Sequence, residues 1–119
     1  MWKAAAILFK ALFAAACCFT VWQALSPPGG PGSLVPWDKA LHGGTFFVLT
    51  GMALLAFPKM KLWRVAVLML GFGGLIEILQ SLPLFDRDAE WADMLADAVG
   101  IGAVIGVAVA VALRRKLPA

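Results

Sequence analysis

The chain alternates between long apolar stretches and short segments that are polar or rich in proline and glycine. Four stretches are each close to 20 residues long and carry few charges, at about residues 4–25, 38–57, 62–82 and 91–113. A bilayer core requires about 20 apolar residues in a helix. Prolines and glycines end the first stretch at residues 26–32, and Pro58 and Pro83 end the next two. The pattern predicts an all-α fold, a four-helix transmembrane bundle forming one domain over residues 1–119.

The composition also favours a membrane environment. Hydrophobic residues make up 62% of the chain and the mean hydropathy is +0.89, whereas soluble domains are about 45–50% apolar. Charged residues account for only 14%, too few to cover a water-facing surface. We expect the adjacent Cys17 and Cys18 to act as small apolar residues, because neighbouring cysteines do not easily bridge each other. The net charge of +3 does not indicate nucleic-acid binding.

A cleaved signal peptide is an alternative for the first stretch, because residues 14–17 weakly resemble a lipoprotein cleavage site. However, Lys10 interrupts the apolar region, and no leucine stands three residues before Cys17. The apolar run also continues beyond the cysteines. We therefore expect this segment to form the first membrane helix.

The basic residues gather at one side of the predicted bundle. With four spans both termini lie on the same side, and that side holds eight of the ten basic residues: Lys3, Lys10, Lys59, Lys61, Arg64, Arg114, Arg115 and Lys116. Cytoplasmic segments of membrane proteins are enriched in Lys and Arg, so both termini are predicted to be cytoplasmic. Lys10 lies one to two turns inside the first span and can extend its ammonium group to that interface.

All seven acidic residues fall toward the opposite, outer side: Asp38, Glu77, Asp86, Asp88, Glu90, Asp93 and Asp97. Acidic residues contribute little to membrane orientation, so this asymmetry requires its own explanation. Residues three or four apart share one face of a helix. Three polar pairs result, one on each of the last three spans: Asp38 with His42, Glu77 with Gln80, and Asp93 with Asp97.

Glu77 and Asp97 lie on the order of 9 Å inside the outer ends of their spans. A carboxylate near the bilayer centre costs about 2.5–3.5 kcal/mol or more when it faces lipid. We therefore expect both to face the bundle interior or a water-filled cleft, with His42, Lys39 and Arg87 as candidate partners. A structural network that locks the bundle is the alternative.

The shallower acids have simpler alternatives. Asp38 precedes an apolar run and can cap the second helix. Asp93 lies near the start of the fourth helix, where the helix dipole favours a negative charge. Three further acids, Asp86, Asp88 and Glu90, are expected to be solvated in the loop.

Glycines on the last three spans predict close contact among those helices, because membrane helices pack through small residues. Gly102 and Gly106 form a GxxxG pair, but this signal is weak for any particular dimer. The first span is rich in Ala and Phe and lacks a glycine face, so we expect it to pack at the periphery.

The polar residues also follow a characteristic order along the chain. The order, over residues 34–106, is Asp38-Lys39-x-x-His42, Glu77-Ile78-Leu79-Gln80, Arg87, and Asp93-Met94-Leu95-Ala96-Asp97-Ala98-Val99-Gly100. It resembles the VanZ-like family of small bacterial membrane proteins. The resemblance implies a multi-pass protein of the bacterial cytoplasmic membrane, linked to glycopeptide resistance of the teicoplanin type. The matching signature positions are Asp38, Lys39, His42, Glu77, Gln80, Arg87 and Asp93. The family usually has Asn where this chain has Asp97, and the resemblance implies no particular reaction.

The first functional hypothesis is a site on the outer face that binds or modifies a lipid head group or an envelope precursor. His42 with Glu77 or Asp97 would supply acid–base catalysis. The ligand-binding residues would be Asp38, Lys39, Gln80, Arg87 and Asp93. Lys39 and Arg87 suit a phosphate, which Arg can hold by two parallel hydrogen bonds.

Two questions about this site stay open. A divalent cation is an alternative occupant, bound by His42, Glu77, Asp93 and Asp97. The chain lacks a compact metal motif such as HExxH, so the sequence favours a site without metal, and it predicts no particular cofactor. Whether the protein is an enzyme and whether it oligomerises are also left open.

The second hypothesis is a non-enzymatic membrane subunit or modulator whose polar layer is structural. A proton-coupled transporter is a third, weaker option, because the chain has few spans and shows no internal repeat.

Overall fold

The computed structural model describes residues 2–26, 39–82 and 91–116. Four helices account for nearly all of these residues: α1 (Trp2–Leu25), α2 (Lys39–Ala56), α3 (Leu62–Gln80) and α4 (Trp91–Lys116). The described ranges contain no strand, so the all-α prediction is confirmed. Two predicted site residues, Asp38 and Arg87, lie outside the described residues, as do the three loop acids.

Three of the four described helices are long and apolar enough to cross a membrane: Lys3–Leu25, Leu62–Gln80 and Ala92–Lys116. The apolar part of α2, Leu41–Ala56, is shorter. The 18 residues of α2 extend about 27 Å, slightly less than the ~30 Å thickness of a bilayer core. Helices of membrane-spanning length are therefore shown for α1, α3 and α4, and a complete span by α2 stays a prediction.

A short turn at residues 57–61 joins α2 to α3. The Met60 amide donates to the Phe57 carbonyl at 3.0 Å, and Lys61 is extended, with φ −64° and ψ 143°. The Lys61 carbonyl then accepts from the amides of Arg64 and Val65, at 3.0 and 3.2 Å, as α3 begins. Because Pro58 cannot donate a backbone hydrogen bond, it favours this break between two apolar helices.

The four helices run alternately in opposite directions. The Lys10 ammonium lies 5.3 Å from the centre of the Phe57 ring, so the first half of α1 lies beside the end of α2. At the opposite end Gln80 of α3 contacts Ala24 of α1. We call this the acidic end; it also holds His42, Glu77, Asp93 and Asp97. The other, basic end carries the start of α1, the α2–α3 turn and the end of α4, with Arg114, Arg115 and Lys116 in its last turn.

One apolar core runs along the centre of the bundle. It contains Ala24, Phe46, Leu49, Ala53, Val65, Met69, Ile76 and Ile101. Large apolar side chains are also exposed on every helix, for example Leu8, Val48, Leu68 and Val107, which are 56 to 62% exposed. A surface with so many exposed apolar side chains is compatible with lipid and unfavourable in water.

The closest helix crossing joins α2 and α4, which share the most extensive interface in the bundle. A Cβ atom added to Gly100 would collide with the carbonyl oxygen of Gly43. The prediction that glycines allow these helices to touch therefore holds at Gly43 and Gly100. Gly102 and Gly106 are exposed and have no atom within 4 Å of an added Cβ, so the GxxxG pair is not part of this crossing.

Helix α1 lies at the periphery of the bundle and packs against α2 and α3. Phe13 meets Phe57 edge-on at 5.9 Å between ring centres, and most of the remaining surface of α1 is exposed. The peripheral position expected for the first span agrees with this arrangement.

Candidate functional site

His42 lies on the buried face of α2, close to the start of that helix. Phe46, Leu49 and Ala53 follow it at helical spacing and are all buried, so one stripe of α2 faces the core. His42 occupies the end of this stripe and is only 1% exposed. The amphipathic pattern of α2 therefore directs an imidazole into the interior at the acidic end.

Asp97 approaches the same imidazole from α4. Its Oδ1 lies 3.2 Å from Nδ1 of His42, and the carboxylate is 1% exposed. The fit depends on Gly73 of α3, because a Cβ there would lie 2.8 Å from Asp97 Oδ2 and 3.3 Å from the Phe46 ring. The absence of a side chain at one position of α3 thus makes room for a carboxylate from α4.

Asp93 lies one turn before Asp97 on the same face of α4. Its Oδ2 is 3.7 Å from Nε2 of His42, and its side chain is 15% exposed. Two carboxylates of one helix therefore stand on opposite sides of a single imidazole from another helix. Asp93 is also the third residue of α4, where its negative charge interacts favourably with the positive end of the helix dipole. It can therefore contact His42 and stabilise the start of α4 at the same time.

Glu77 completes the group from α3. It is half-buried, and one carboxylate oxygen of Glu77, one of Asp93 and one nitrogen of His42 all lie within 4.8 Å of one another. We call His42, Glu77, Asp93 and Asp97 the polar cluster. Three helices contribute to it, so it exists only when α2, α3 and α4 are packed together.

Two other predicted site residues, Gln80 and Lys39, lie in the described part of the chain but are not part of the polar cluster. The Gln80 amide donates from Nε2 to the carbonyl oxygen of Ala24 at 2.7 Å, linking α3 to α1. Ligand binding by Gln80 therefore stays a prediction. Lys39 is the first residue of α2, one turn before His42, and the structure describes its backbone only.

The cluster gives the imidazole a defined chemical orientation. Nδ1 of His42 lies 3.2 Å from Oδ1 of Asp97, and an ionised Asp97 would accept a hydrogen bond from Nδ1–H at this distance. Nε2 lies on the other side of the ring, 3.7 Å from Oδ2 of Asp93, and it carries a lone pair when the imidazole is neutral and an N–H when it is protonated. A carboxylate that fixes the tautomer of a histidine in this way is found in acid–base and metal sites. On this side of the ring Asp93 is 15% exposed, whereas His42 itself is 1% exposed.

Some features of the site were not anticipated from the sequence. Gly73 is one of the glycines of the third span that were expected only to allow close helix contact, and its role in admitting Asp97 depends on how α3 faces α4. The Gln80–Ala24 hydrogen bond was missed because it requires the position of α1 relative to α3. The spacing of Gly73 and Glu77, four residues apart on one face of α3, is the local signal that could have suggested the first of these.

Comparisons of the chain with protein-family models, with characterised proteins and with solved structures found no match. The resemblance to the VanZ-like family therefore stays a prediction that rests on the motifs themselves. The fold and the site define a small helical bundle with three helices of membrane-spanning length and a buried histidine–carboxylate cluster at one end.

Proposed function

We propose that the chain is an integral protein of the bacterial cytoplasmic membrane, with four spans and both termini in the cytoplasm. Three helices of membrane-spanning length and exposed apolar side chains on all four helices support this assignment. The basic end supports the orientation, because Lys and Arg are enriched on the cytoplasmic side. The bacterial membrane is taken from the VanZ-like motifs.

We further propose that the polar cluster forms a ligand site on the outer face of the membrane. The observation that carries this proposal is the fully buried imidazole of His42, held between Asp97 and Asp93 and close to Glu77. Buried charges are weak contributors to stability, and apolar side chains of similar volume often stabilise a fold as well or better. Ionisable groups within a membrane bundle commonly mark functional sites.

The ligand we propose is a lipid head group or an envelope precursor that carries phosphate. The cluster lies within about two turns of the helix ends, which is the depth at which head groups meet the hydrocarbon region. His42, Glu77 and Asp97 would form the reactive centre, with Asp93 at its open side. Asp38, Lys39, Gln80 and Arg87 stay predicted ligand-binding residues, and a link to teicoplanin-type resistance follows from the family resemblance.

The test compares membrane abundance with the envelope phenotype in cells that produce the chain. We expect His42→Gln, Glu77→Gln and Asp97→Asn to reach the membrane at normal levels and to lose protection against teicoplanin. Thr50→Val is the matched control: Thr50 is fully buried on α2, and its hydroxyl has no hydrogen-bond partner among the described residues. A uniform loss of abundance in the cluster variants, or full protection by all three, would reject the site.

A non-enzymatic membrane subunit is the second candidate, and one observation favours it. Asp97 is 1% exposed, packs closely against Gly73 of α3 and contacts His42 of α2, as expected of a residue that locks three helices together. In this case Asp97→Asn would keep both abundance and phenotype, because an amide can still accept the hydrogen bond from His42.

A further inference from the structure

We propose that the polar cluster binds a divalent transition-metal ion, for which Zn²⁺ is the best-suited candidate. Nε2 of His42 and one carboxylate oxygen each from Glu77 and Asp93 would be the ligands. This inference deepens the proposed function and rests on it, since it takes the acidic end to be a ligand site. The sequence favoured a site without metal because it lacks a compact motif. A metal site whose three ligands come from three different helices would show no compact motif in the sequence.

The distances are close to those of a bound ion. Zinc bonds to nitrogen and oxygen are about 2.0–2.2 Å, so two ligand atoms in a tetrahedral site lie about 3.4 Å apart. His42 Nε2 and Asp93 Oδ2 are already 3.7 Å apart, and one oxygen of Glu77, one oxygen of Asp93 and one ring nitrogen of His42 all lie within 4.8 Å of one another. A shift of the Glu77 carboxylate by at most about 1.4 Å, the difference between 4.8 and about 3.4 Å, would bring its oxygen to the ligand spacing of a tetrahedral zinc site.

Asp97 has a separate role as a positioning residue. When Nδ1–H of His42 donates across its 3.2 Å contact with Asp97, the neutral imidazole carries its lone pair on Nε2, where a metal would bind. Metal-bound histidines almost always donate their other ring N–H to a carboxylate, a carbonyl or water, which orients the ring and raises the basicity of the ligand. Gly73 secures this arrangement, because a side chain there would displace the Asp97 carboxylate.

The charges of the cluster also favour a divalent metal ion. Three carboxylates share one imidazole, which can supply at most one positive charge when protonated, whereas a divalent ion supplies two. The donor set also indicates the kind of ion. Imidazole favours Zn²⁺ and its neighbours over Mg²⁺ and Ca²⁺, which prefer oxygen ligands alone.

Three protein ligands would leave one position open. Catalytic zinc sites keep such a position for water or substrate, whereas structural zinc sites use four protein ligands. Asp93 is 15% exposed and His42 is 1% exposed, so we assign the open position to the side of Asp93. A phosphate oxygen of the proposed envelope ligand could occupy this position, with the metal polarising the phosphoryl group.

The test uses the full chain, purified in detergent micelles, stripped with a chelator and re-equilibrated with Zn²⁺ in the presence of excess Mg²⁺. We expect a single tightly bound Zn²⁺ per chain by elemental analysis. Co²⁺ in its place should give the intense visible bands of a low-coordinate site. His42→Gln, Glu77→Gln and Asp93→Asn should each abolish this binding. Asp97→Asn should weaken it about 10–100-fold while keeping the stoichiometry, as expected for an outer-sphere carboxylate.

Thr50→Val is again the control and should bind Zn²⁺ like the unmodified chain. If His42→Gln does not fold, as judged by helical circular dichroism, Asp93→Asn decides the question because Asp93 is partly exposed. A folded chain that binds no more Zn²⁺ than the Asp93→Asn variant would overturn the metal inference. If the unmodified chain binds no Zn²⁺ while the cluster variants still lose the phenotype, the ligand site stands without a metal. If it binds Zn²⁺ while those variants keep the phenotype, the metal is structural and the proposed function fails.

Discussion

The crossing of α2 and α4 couples the stability of the bundle to the geometry of the polar cluster. Gly100 lies three residues after Asp97, and the opposing Gly43 directly follows His42. A Cβ at position 100 would collide with the carbonyl oxygen of Gly43 and lie 3.0 Å from the backbone nitrogen of Phe47. Both obstacles belong to the backbone, so no side-chain rotation can relieve them. We therefore predict that Gly100→Ala pushes the two helices apart at the site.

The size of this effect follows from the contacts. Ordinary contacts of a Cβ begin at 3.4 Å, so the helices must separate by more than about 1 Å. Extra methyl or methylene groups in a well-packed core cost about 1–3 kcal/mol. The same separation would stretch the 3.2 Å contact between His42 and Asp97 beyond hydrogen-bond range. Gly100→Ala should therefore lose about 1–3 kcal/mol of stability and weaken any metal or ligand binding at His42.

The assay is unfolding in mixed micelles, followed by helical circular dichroism as the fraction of denaturing detergent is raised. Gly102→Ala is a closely matched control: it makes the same substitution on the same helix, where an added Cβ has no atom within 4 Å. It also reproduces the gain in helix propensity of about 0.5–1 kcal/mol that alanine brings over glycine. If Gly100→Ala is as stable as Gly102→Ala, the close crossing of α2 and α4 is wrong.

Two further predictions concern other parts of the bundle. Gln80→Met should lower the free energy of unfolding by about 1–3 kcal/mol in the same assay, because it leaves the Ala24 carbonyl at the end of α1 without its donor. Leu79→Met is the control. If the two variants are equally stable, Gln80 does not link α3 to α1. In a variant whose native cysteines are replaced, Lys59→Cys should react with a membrane-impermeant maleimide only after the cells are opened, whereas Ser81→Cys should react in intact cells. The reverse labelling pattern would invert the proposed orientation.

The acidic end of the bundle illustrates how much of the site could be predicted. The spacing of Asp93 and Asp97 placed both acids on one face of α4, and the structure directs both toward His42. Glu77 was expected to face the interior, and it lies near the same imidazole from α3. Gln80 shares a face with Glu77, yet its amide nitrogen donates to α1. Sharing a face limits the direction of a side chain and does not determine its partner.

The sequence by itself determined the helices, their approximate ends and the separation of basic from acidic residues. These properties depend on local composition, on the 3.6-residue period and on prolines that interrupt hydrogen bonding, all of which can be read along the chain. Only the tertiary structure decided that α2 and α4 cross at Gly43 and Gly100 and that Gly73 admits Asp97. Those contacts depend on how each helix is rotated about its axis and shifted along it, which is determined by the packing of several helices together. The polar cluster is therefore predictable as a layer of residues and becomes a candidate metal site only when the bundle is assembled.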